Sequence, residues 1–223
     1  MSRESKEDTD LLPSPSSPGL SKYFSHRWTI SVPSHPSLRF FRATPSHFDV
    51  WIPIVTNPEN RKMLPDTRDK VWDEAAVAEW KAAAEARYTE ANTKFNKLEV
   101  LIELDGRVAG YGNIVTIRED AASVGLVLER TARGRGVGKL AMAVLIQLGF
   151  AFGLQLEPGT MKANGPMRGV MASLGVAEEE ELVVIPGRGV VAEVVYRVRR
   201  ERWREVEMRV VFDEEGGFVE AKR

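Results

Sequence analysis

The sequence predicts a mixed α/β fold, in which a mostly antiparallel central sheet has one parallel crossover near its middle and helices flank the sheet. Apolar residues between Leu98 and Leu128 recur with a period of two, which is typical of half-buried strands. From Val137 the apolar period changes to 3.6, which is typical of a helix, and another strand pattern follows. This order of elements predicts the parallel crossover.

The first 36 residues are rich in Ser and Pro. Such a segment has too few apolar side chains to offset the entropy lost on ordering, so residues 1–36 are expected to form a mostly disordered tail. Residues 28–32 are the exception, because their composition could add a short strand. A folded domain is expected over residues 37–204, beginning with a strand at 38–42 and a helix capped by Ser46.

The rest of the front half predicts a loop, a long helix and a meander. The loop is expected at residues 57–60, and Asp73 is expected to cap the long helix. Asp105-Gly106 is typical of a hairpin turn between two antiparallel strands. The three strands of the meander are predicted over residues 98–104, 107–117 and 121–128.

The second half begins with the helix from Val137, which Gly153 is expected to end. A C-terminal extension over residues 205–223 is predicted to contain one more strand, near 208–212. Between this helix and the C-terminal extension, the sequence predicts a strand at 154–161, a short helix at 167–174, and two strands at 182–185 and 190–198.

Composition excludes several classes of function. The chain has 31 basic and 32 acidic residues, so it lacks the basic excess of a nucleic-acid-binding protein. It has no cysteine and three histidines, which excludes disulfides and makes a metal site unexpected. The longest apolar run is too short to span a bilayer, and no secretory signal is visible. We therefore expect a cytoplasmic protein, monomeric or homodimeric, that binds neither membranes nor nucleic acid.

The most informative segment is the glycine-rich run from Arg133 to Lys139. Its three glycines let backbone N–H groups turn inward, and the run opens directly into a helix. Unpaired amides and the positive end of the helix dipole favour an anion at such a position, and the Arg and Lys side chains add positive charge. The run therefore predicts a pyrophosphate site.

Four interpretations of this run compete. A P-loop would need a glycine at Arg133 and a Ser or Thr at Leu140. A dinucleotide-binding fold would place the first glycine at the end of a strand, and although Glu157 supplies an acidic residue about twenty positions on, residues 129–133 separate the strand from Gly134. The remaining interpretations are a coenzyme A site and a tight turn that merely permits close packing.

The pattern Arg133-x-x-Gly136-x-Gly138, which follows a strand ending at Leu128, resembles the acetyl-CoA-binding motif of the GNAT superfamily of N-acetyltransferases. The segment from Asn164 to Val176 is similar to the next motif of that superfamily. Residues 38–42 and 57–65 resemble the branch that contains ribosomal-protein N-terminal acetyltransferases. The resemblance covers roughly residues 38 to 203.

This resemblance implies a GNAT-like fold with a splayed pair of parallel strands, acetyl-CoA as co-substrate, and a primary amine of a small molecule or peptide as acceptor. Strand backbone would pair with pantetheine, loop amides would hold the pyrophosphate, and Asn164 would meet the pantetheine arm or cap its helix. The residues expected at the cofactor are Leu126, Val127, Leu128, Arg133, Gly134, Arg135, Gly136, Val137, Gly138, Lys139 and Asn164.

The catalytic groups are less clear from the sequence. Positions where relatives carry a glutamate base or a tyrosine acid align with Ala122 and Met171, neither of which transfers protons. The weak candidates that remain are Glu119, Asp120 and Tyr111. The absent groups leave two alternatives to an enzyme open: an acyl-CoA-binding protein without turnover, and an interaction module that kept only the fold. The sequence identifies neither the amine nor the acyl length.

Overall fold

The computed structural model describes residues 18–64, 67–185 and 189–213. The described residues form a seven-stranded sheet and a three-stranded sheet with helices on both faces of the larger one. The strands are β1 (Trp28–Val32), β2 (His35–Arg42), β3 (Lys97–Leu104), β4 (Arg107–Arg118), β5 (Ala121–Leu128), β6 (Gln155–Leu156), β7 (Gly159–Met161), β8 (Glu179–Ile185), β9 (Gly189–Val195) and β10 (Arg209–Phe212). The helices are α1 (Pro18–Ser25), α2 (Phe48–Thr56), α3 (Pro58–Arg61), α4 (Glu74–Lys94), α5 (Val137–Ala151) and α6 (Gly165–Ser173).

The larger sheet has the order β10-β1-β2-β3-β4-β5-β6. All neighbouring strands in it are antiparallel except β5 and β6, which run parallel. The predicted mixed sheet with a parallel crossover is thus confirmed. The crossover lies at one edge of this sheet and not near its middle, because the strands after β6 form a sheet of their own.

The strand predicted over residues 154–161 is divided into β6 and β7, which belong to different sheets. Pro158 lies at the division, and its lack of an N–H donor makes it unsuitable for the interior of a continuous strand. Its carbonyl instead accepts a hydrogen bond from the Tyr196 amide at 2.9 Å. As a result the chain turns away from β5 after two paired residues.

The expectation of a disordered tail is wrong for residues 18–36, where the structure has α1, β1 and the start of β2. Tyr23 packs edge-to-face against Trp28, Phe152 and Phe212, with ring centroids 5.0–5.8 Å apart. Phe24 and Trp28 are buried in the main core. These aromatic contacts supply the apolar burial that the local composition does not suggest; the predicted short strand at 28–32 is present as β1, and residues 1–17 lie outside the described residues.

The predicted C-terminal strand is present as β10, which pairs antiparallel with β1 from Trp28 opposite Phe212 to Ser31 opposite Arg209. The first and last described strands are therefore neighbours at one edge of the sheet. Residues 214–223 lie outside the described part of the chain.

Helix α5 packs on one face of the larger sheet, and α2 and α4 pack on the other. A Cβ atom at Gly112 of β4 would lie 2.3 Å from a methyl carbon of Leu145, so the absence of a side chain lets α5 approach the strand closely. On the opposite face Trp51 of α2 contacts the Tyr111 ring edge-on at 5.6 Å. No helix among the described residues is long and apolar enough to cross a bilayer.

Two local predictions differ from the structure. Ser46 lies inside a 3₁₀ turn at Pro45–His47, and Thr44 caps that turn. Residues 58–60, which were expected in a loop, belong to α3, because the Asn57 side chain accepts a hydrogen bond from the Glu59 amide and Pro58 occupies the first turn. The predicted cap at Asp73 is confirmed by its side chain accepting from the Ala76 amide at 2.8 Å.

Candidate active site

The two parallel strands separate beside a large cavity. β5 and β6 are paired at Ala121–Gln155 and Ala122–Leu156, and no other described strand pairs with the C-terminal half of β5 on that side. A cavity of about 550 Å³ lies at that end of β5. Its lining comes from α3 and the loop after it, the end of β5, the glycine-rich loop and α6: Glu59, Asn60, Met63, Leu64, Leu126, Val127, Leu128, Arg133, Gly134, Gly136, Gly138, Lys139, Asn164, Pro166, Met167, Gly169, Val170 and Ser173.

All of the predicted cofactor residues line this cavity except Arg135 and Val137. Arg135 extends to the surface, where it forms an ion pair with Asp105 at 3.4 Å. The Val137 side chain is buried in the core at the first residue of α5. The other residues predicted at the cofactor thus lie together around one cavity.

The glycine-rich loop has the backbone of an anion site. Gly134 and Gly136 have φ angles of 72° and 79°, a left-handed conformation that glycine adopts without strain. Gly136 caps α5 and offers no side chain to the amides of the first turn. The N-cap residue therefore supplies no acceptor to those amides, which lie with the positive end of α5 beside the cavity. Lys139, in the same turn, adds a positive charge to the lining.

Gly138 lies where α5 meets α6. A Cβ atom there would be 3.3 Å from Val170 Cγ2 and 3.5 Å from Leu128 Cδ1. Both neighbours also line the cavity. A larger residue at this position would therefore occupy space in the cavity.

Asn164 is the N-cap of α6. Its side-chain oxygen accepts from the Met167 amide at 3.3 Å, and its Nδ2 donates to Thr160 Oγ1 at 2.8 Å. The predicted capping role is thus present, and the residue also lines the cavity. Tyr196, another side chain in this half of the chain, is buried, and its hydroxyl donates to Glu178 at 3.4 Å.

Two of the three catalytic candidates lie away from the cavity. Glu119 and Asp120 form the turn that precedes β5, whereas the cavity lies at its other end, roughly 23 Å away for eight strand residues. Asp120 is occupied there by Arg118 at 3.3 Å and by the Gln155 side chain at 3.0 Å. In the sequence both carboxylates lie next to β5, but the sequence does not show which end of β5 lies at the cavity.

Tyr111 lies opposite Val127, a cavity-lining residue, on the neighbouring strand. Burial, with a smaller contribution from the negative charge of Glu99 and opposition from Arg87, raises the pKa of its phenol to about 12. The phenol therefore remains protonated at neutral pH and can donate a proton but cannot serve as a base. Ala122 and Met171, which align with the usual proton-transfer residues, are both fully buried in the core.

Sequence reasoning missed the wall that α3 and the following loop contribute. Glu59, Asn60, Met63 and Leu64 all line the cavity. A usable signal was Asn57-Pro58, since Asn at the N-cap and Pro at the first helical position mark the start of a helix. The second missed contribution is the inner face of α6, with Pro166, Met167, Gly169, Val170 and Ser173.

Solved structures with this fold include a probable acetyltransferase, with a TM-score of 0.65 and 16% identity over 78% of this chain and 98% of that one. Mycobacterium smegmatis RimJ in complex with CoA-disulfide aligns with a TM-score of 0.63 and 17% identity over 83% and 92% of the two chains. Spermidine N-acetyltransferase from Vibrio cholerae, in complex with CoA and spermine, aligns with a TM-score of 0.57 and 13% identity over 72% and 94%. At these identities the likeness concerns the fold.

No curated protein sequence matches the chain. A family model, described as the acetyltransferase (GNAT) family, matches residues 60–176. The matched region runs from within α3, through the meander and the glycine-rich loop, to the third residue after α6, and it contains every residue that lines the cavity except Glu59. Since this match covers more than half of its length, the chain belongs to the GNAT family of acetyltransferases, as the glycine-rich loop and the motif at Asn164 predicted.

Proposed function

We propose that this protein transfers an acetyl group from acetyl-CoA to a primary amine of a small molecule or peptide. The observation that carries the proposal is the cavity of about 550 Å³, which is bounded at one end by the amides of the glycine-rich loop and along its side by the edge of β5 that faces away from β4. This combination suits an elongated molecule with an anionic group and an amide-containing arm. The GNAT solved structures with CoA bound support the same co-substrate.

In this proposal the amides from Gly134 to Lys139 hold the pyrophosphate, and the backbone of Leu126, Val127 and Leu128 pairs with the pantetheine arm. Asn164, held by its contacts to Thr160 and Met167, lies beside that arm. Arg135 and Val137 contribute through their backbone only, because their side chains point away from the cavity.

The proposed reaction is direct attack of a neutral amine on the thioester carbonyl. The new C–N bond forms as the C–S bond breaks, the amine loses one proton, and the CoA sulfur leaves as a thiolate that takes up a proton. An α-amine has a pKa near about 8 and a lysine near about 10.4, so the acceptor must first be deprotonated. Tyr111 does not itself line the cavity but lies opposite Val127, which does, and it is our candidate for returning a proton since its phenol stays neutral.

A pH–rate measurement tests this role. Because burial raises the pKa of Tyr111 to about 12, loss of its proton is expected to cause no fall in kcat/KM between about pH 6 and pH 10. The rate should rise with pH over this interval as the acceptor amine loses its proton. Tyr111→Phe should lower the height of the profile and leave its shape unchanged. A descending limb near pH 10 that disappears in Tyr111→Phe would contradict the protonated state assigned here.

The acceptor is best sought by measuring thiol release from acetyl-CoA across amines, amino acids, polyamines and short peptides. We expect release with at least one amine class and none with matched alcohols. Saturable binding of acetyl-CoA without release from any amine would favour the alternative of a binding protein without turnover. Failure to bind any acyl-CoA would favour an interaction module. We also propose a cytoplasmic location, since a chain without cysteine suits a reducing compartment.

A further inference from the structure

Helix α3 carries two adjacent buried polar residues. Asn60 is 6% exposed and Arg61 is 7% exposed, and they are two of the four polar or charged residues buried among those described. A polar side chain is rarely buried unless its hydrogen bonds are satisfied inside the protein. The partners of these two residues therefore show what α3 is attached to.

Asn60 uses both ends of its amide. Its Nδ2 donates to the Ile54 carbonyl at 3.0 Å and to Glu129 Oε1 at 2.8 Å, and its Oδ1 accepts from Arg133 Nη2 at 2.7 Å. This side chain thus joins the helical layer to the residues on either side of the turn that leads into the glycine-rich loop.

The Arg133 side chain is held by the same network, although the residue is exposed. Its Nε donates to the Leu128 carbonyl at 2.8 Å while Nη2 donates to Asn60. A planar guanidinium fixed at two nitrogens has little freedom to turn toward a ligand. Its geometry is that of a link between the end of β5 and α3.

Arg61 points to the opposite side and orders the loop that follows. It donates to the carbonyls of Thr56 at 3.1 Å, Arg68 at 3.2 Å and Lys70 at 2.9 Å. This loop begins with Met63 and Leu64, which line the cavity. Asn60 therefore attaches the wall formed by α3 and its loop to Arg133 of the glycine-rich loop, and Asn57 adds a second bond to Glu129 at 3.3 Å. Arg61 stabilises the wall internally.

We infer that Asn60 is a positioning residue that sets the width of the co-substrate cavity by holding α3 against Arg133, and that the Arg133 side chain acts as a strut and not as a phosphate ligand. The inference rests on the proposed function, because it takes the cavity to be the acetyl-CoA site. It concerns residues outside the proton-transfer step, so KM for acetyl-CoA should change more than kcat.

The experiment measures the Kd of CoA by calorimetry, with steady-state constants for acetyl-CoA, on the full chain. Asn60→Ala and Arg133→Lys should each weaken CoA binding by about tenfold, although lysine keeps the charge. The double variant should bind no more weakly than either single one, since both changes break the same contact. In each variant KM should rise while kcat stays within about twofold.

Asn92→Ala is the matched control. Asn92 also accepts a hydrogen bond from a buried arginine, Arg42, but it lies on α4 away from the cavity. The Asn92→Ala variant should lower the melting temperature as Asn60→Ala does, and it should leave the Kd of CoA unchanged.

Several outcomes would overturn the inference. If Asn60→Ala binds CoA as tightly as the unaltered protein does, the inference alone is refuted. If the unaltered protein does not bind CoA, the proposed function is refuted together with the inference. Additive losses in the double variant, or a normal Kd in Arg133→Lys beside a weakened Asn60→Ala, would show that the two side chains act separately. If Asn60→Ala does not fold, Asn60→Ser with Arg133→Lys supplies the same comparison.

Discussion

Replacing Gly138 with leucine is expected to abolish measurable CoA binding while leaving the chain folded. The new Cβ atom would meet Val170 at 3.3 Å and Leu128 at 3.5 Å, so the rest of the side chain must enter the cavity. Losing the hydrogen bonds from two loop amides to the charged pyrophosphate would cost about 3 kcal/mol. This free energy corresponds to an increase in Kd of at least about a hundredfold. Calorimetry measures the loss, and far-ultraviolet circular dichroism verifies folding.

A pair of variants separates blocking of the site from backbone strain. Gly136 and Gly106 have φ angles of 79° and 76°, and a Cβ atom at either would meet nothing within 4 Å. Valine at either position should therefore cost a similar strain of about 1–3 kcal/mol. Only Gly136→Val should weaken CoA binding, because Gly106 lies in the β3–β4 turn. Wild-type affinity in both Gly138→Leu and Gly136→Val would refute the pyrophosphate assignment.

Trp28→Ala is expected to lower the free energy of unfolding by about 3–5 kcal/mol, the usual cost of removing a large buried aromatic side chain. Trp28 is 2% exposed, packs against Tyr23, and donates from its indole nitrogen to the Tyr23 carbonyl at 2.9 Å. Each kcal/mol lowers the melting temperature by about 2–4 °C in a domain of this size, so a fall of more than about 6 °C is expected. Urea unfolding and calorimetric melting measure the two quantities.

Val211→Ala on β10 is the control, since its side chain is 61% exposed and a surface change of this kind costs less than about 0.5 kcal/mol. A loss below about 1 kcal/mol in Trp28→Ala would mean that the segment from residue 18 onward is not docked in solution. The original expectation of a disordered tail would then be correct after all.

Elements defined by local signals were predictable from the sequence. The meander follows from the alternation after Leu98 and the Asp105-Gly106 turn, and α5 follows from the change of period at Val137. The N-terminal residues were not predictable in this way, because Tyr23 gains its partners Phe152 and Phe212 from distant parts of the chain. A Ser/Pro-rich composition cannot show such long-range contacts.

The same distinction applies to the site. The glycine-rich loop is a continuous segment whose backbone requirement is visible in its glycines, so it could be found directly. Asn60 could not, since its role depends on Glu129 and Arg133, about seventy residues further on. Glu119 failed for a related reason: its distance along the sequence from Leu128 is short, but an extended strand separates the two in space.

The pairing of β1 with β10 has a consequence for how the protein is made. Strand β1 is synthesised before every other strand of the described domain, and its neighbour β10 is synthesised after all of them. Until β10 is made, the open edge of the sheet is the apolar β1 and not the four-residue β10, a situation that favours association between nascent copies. Translation that stalls before residue 209 should therefore yield a species more prone to aggregation than a chain that includes β10.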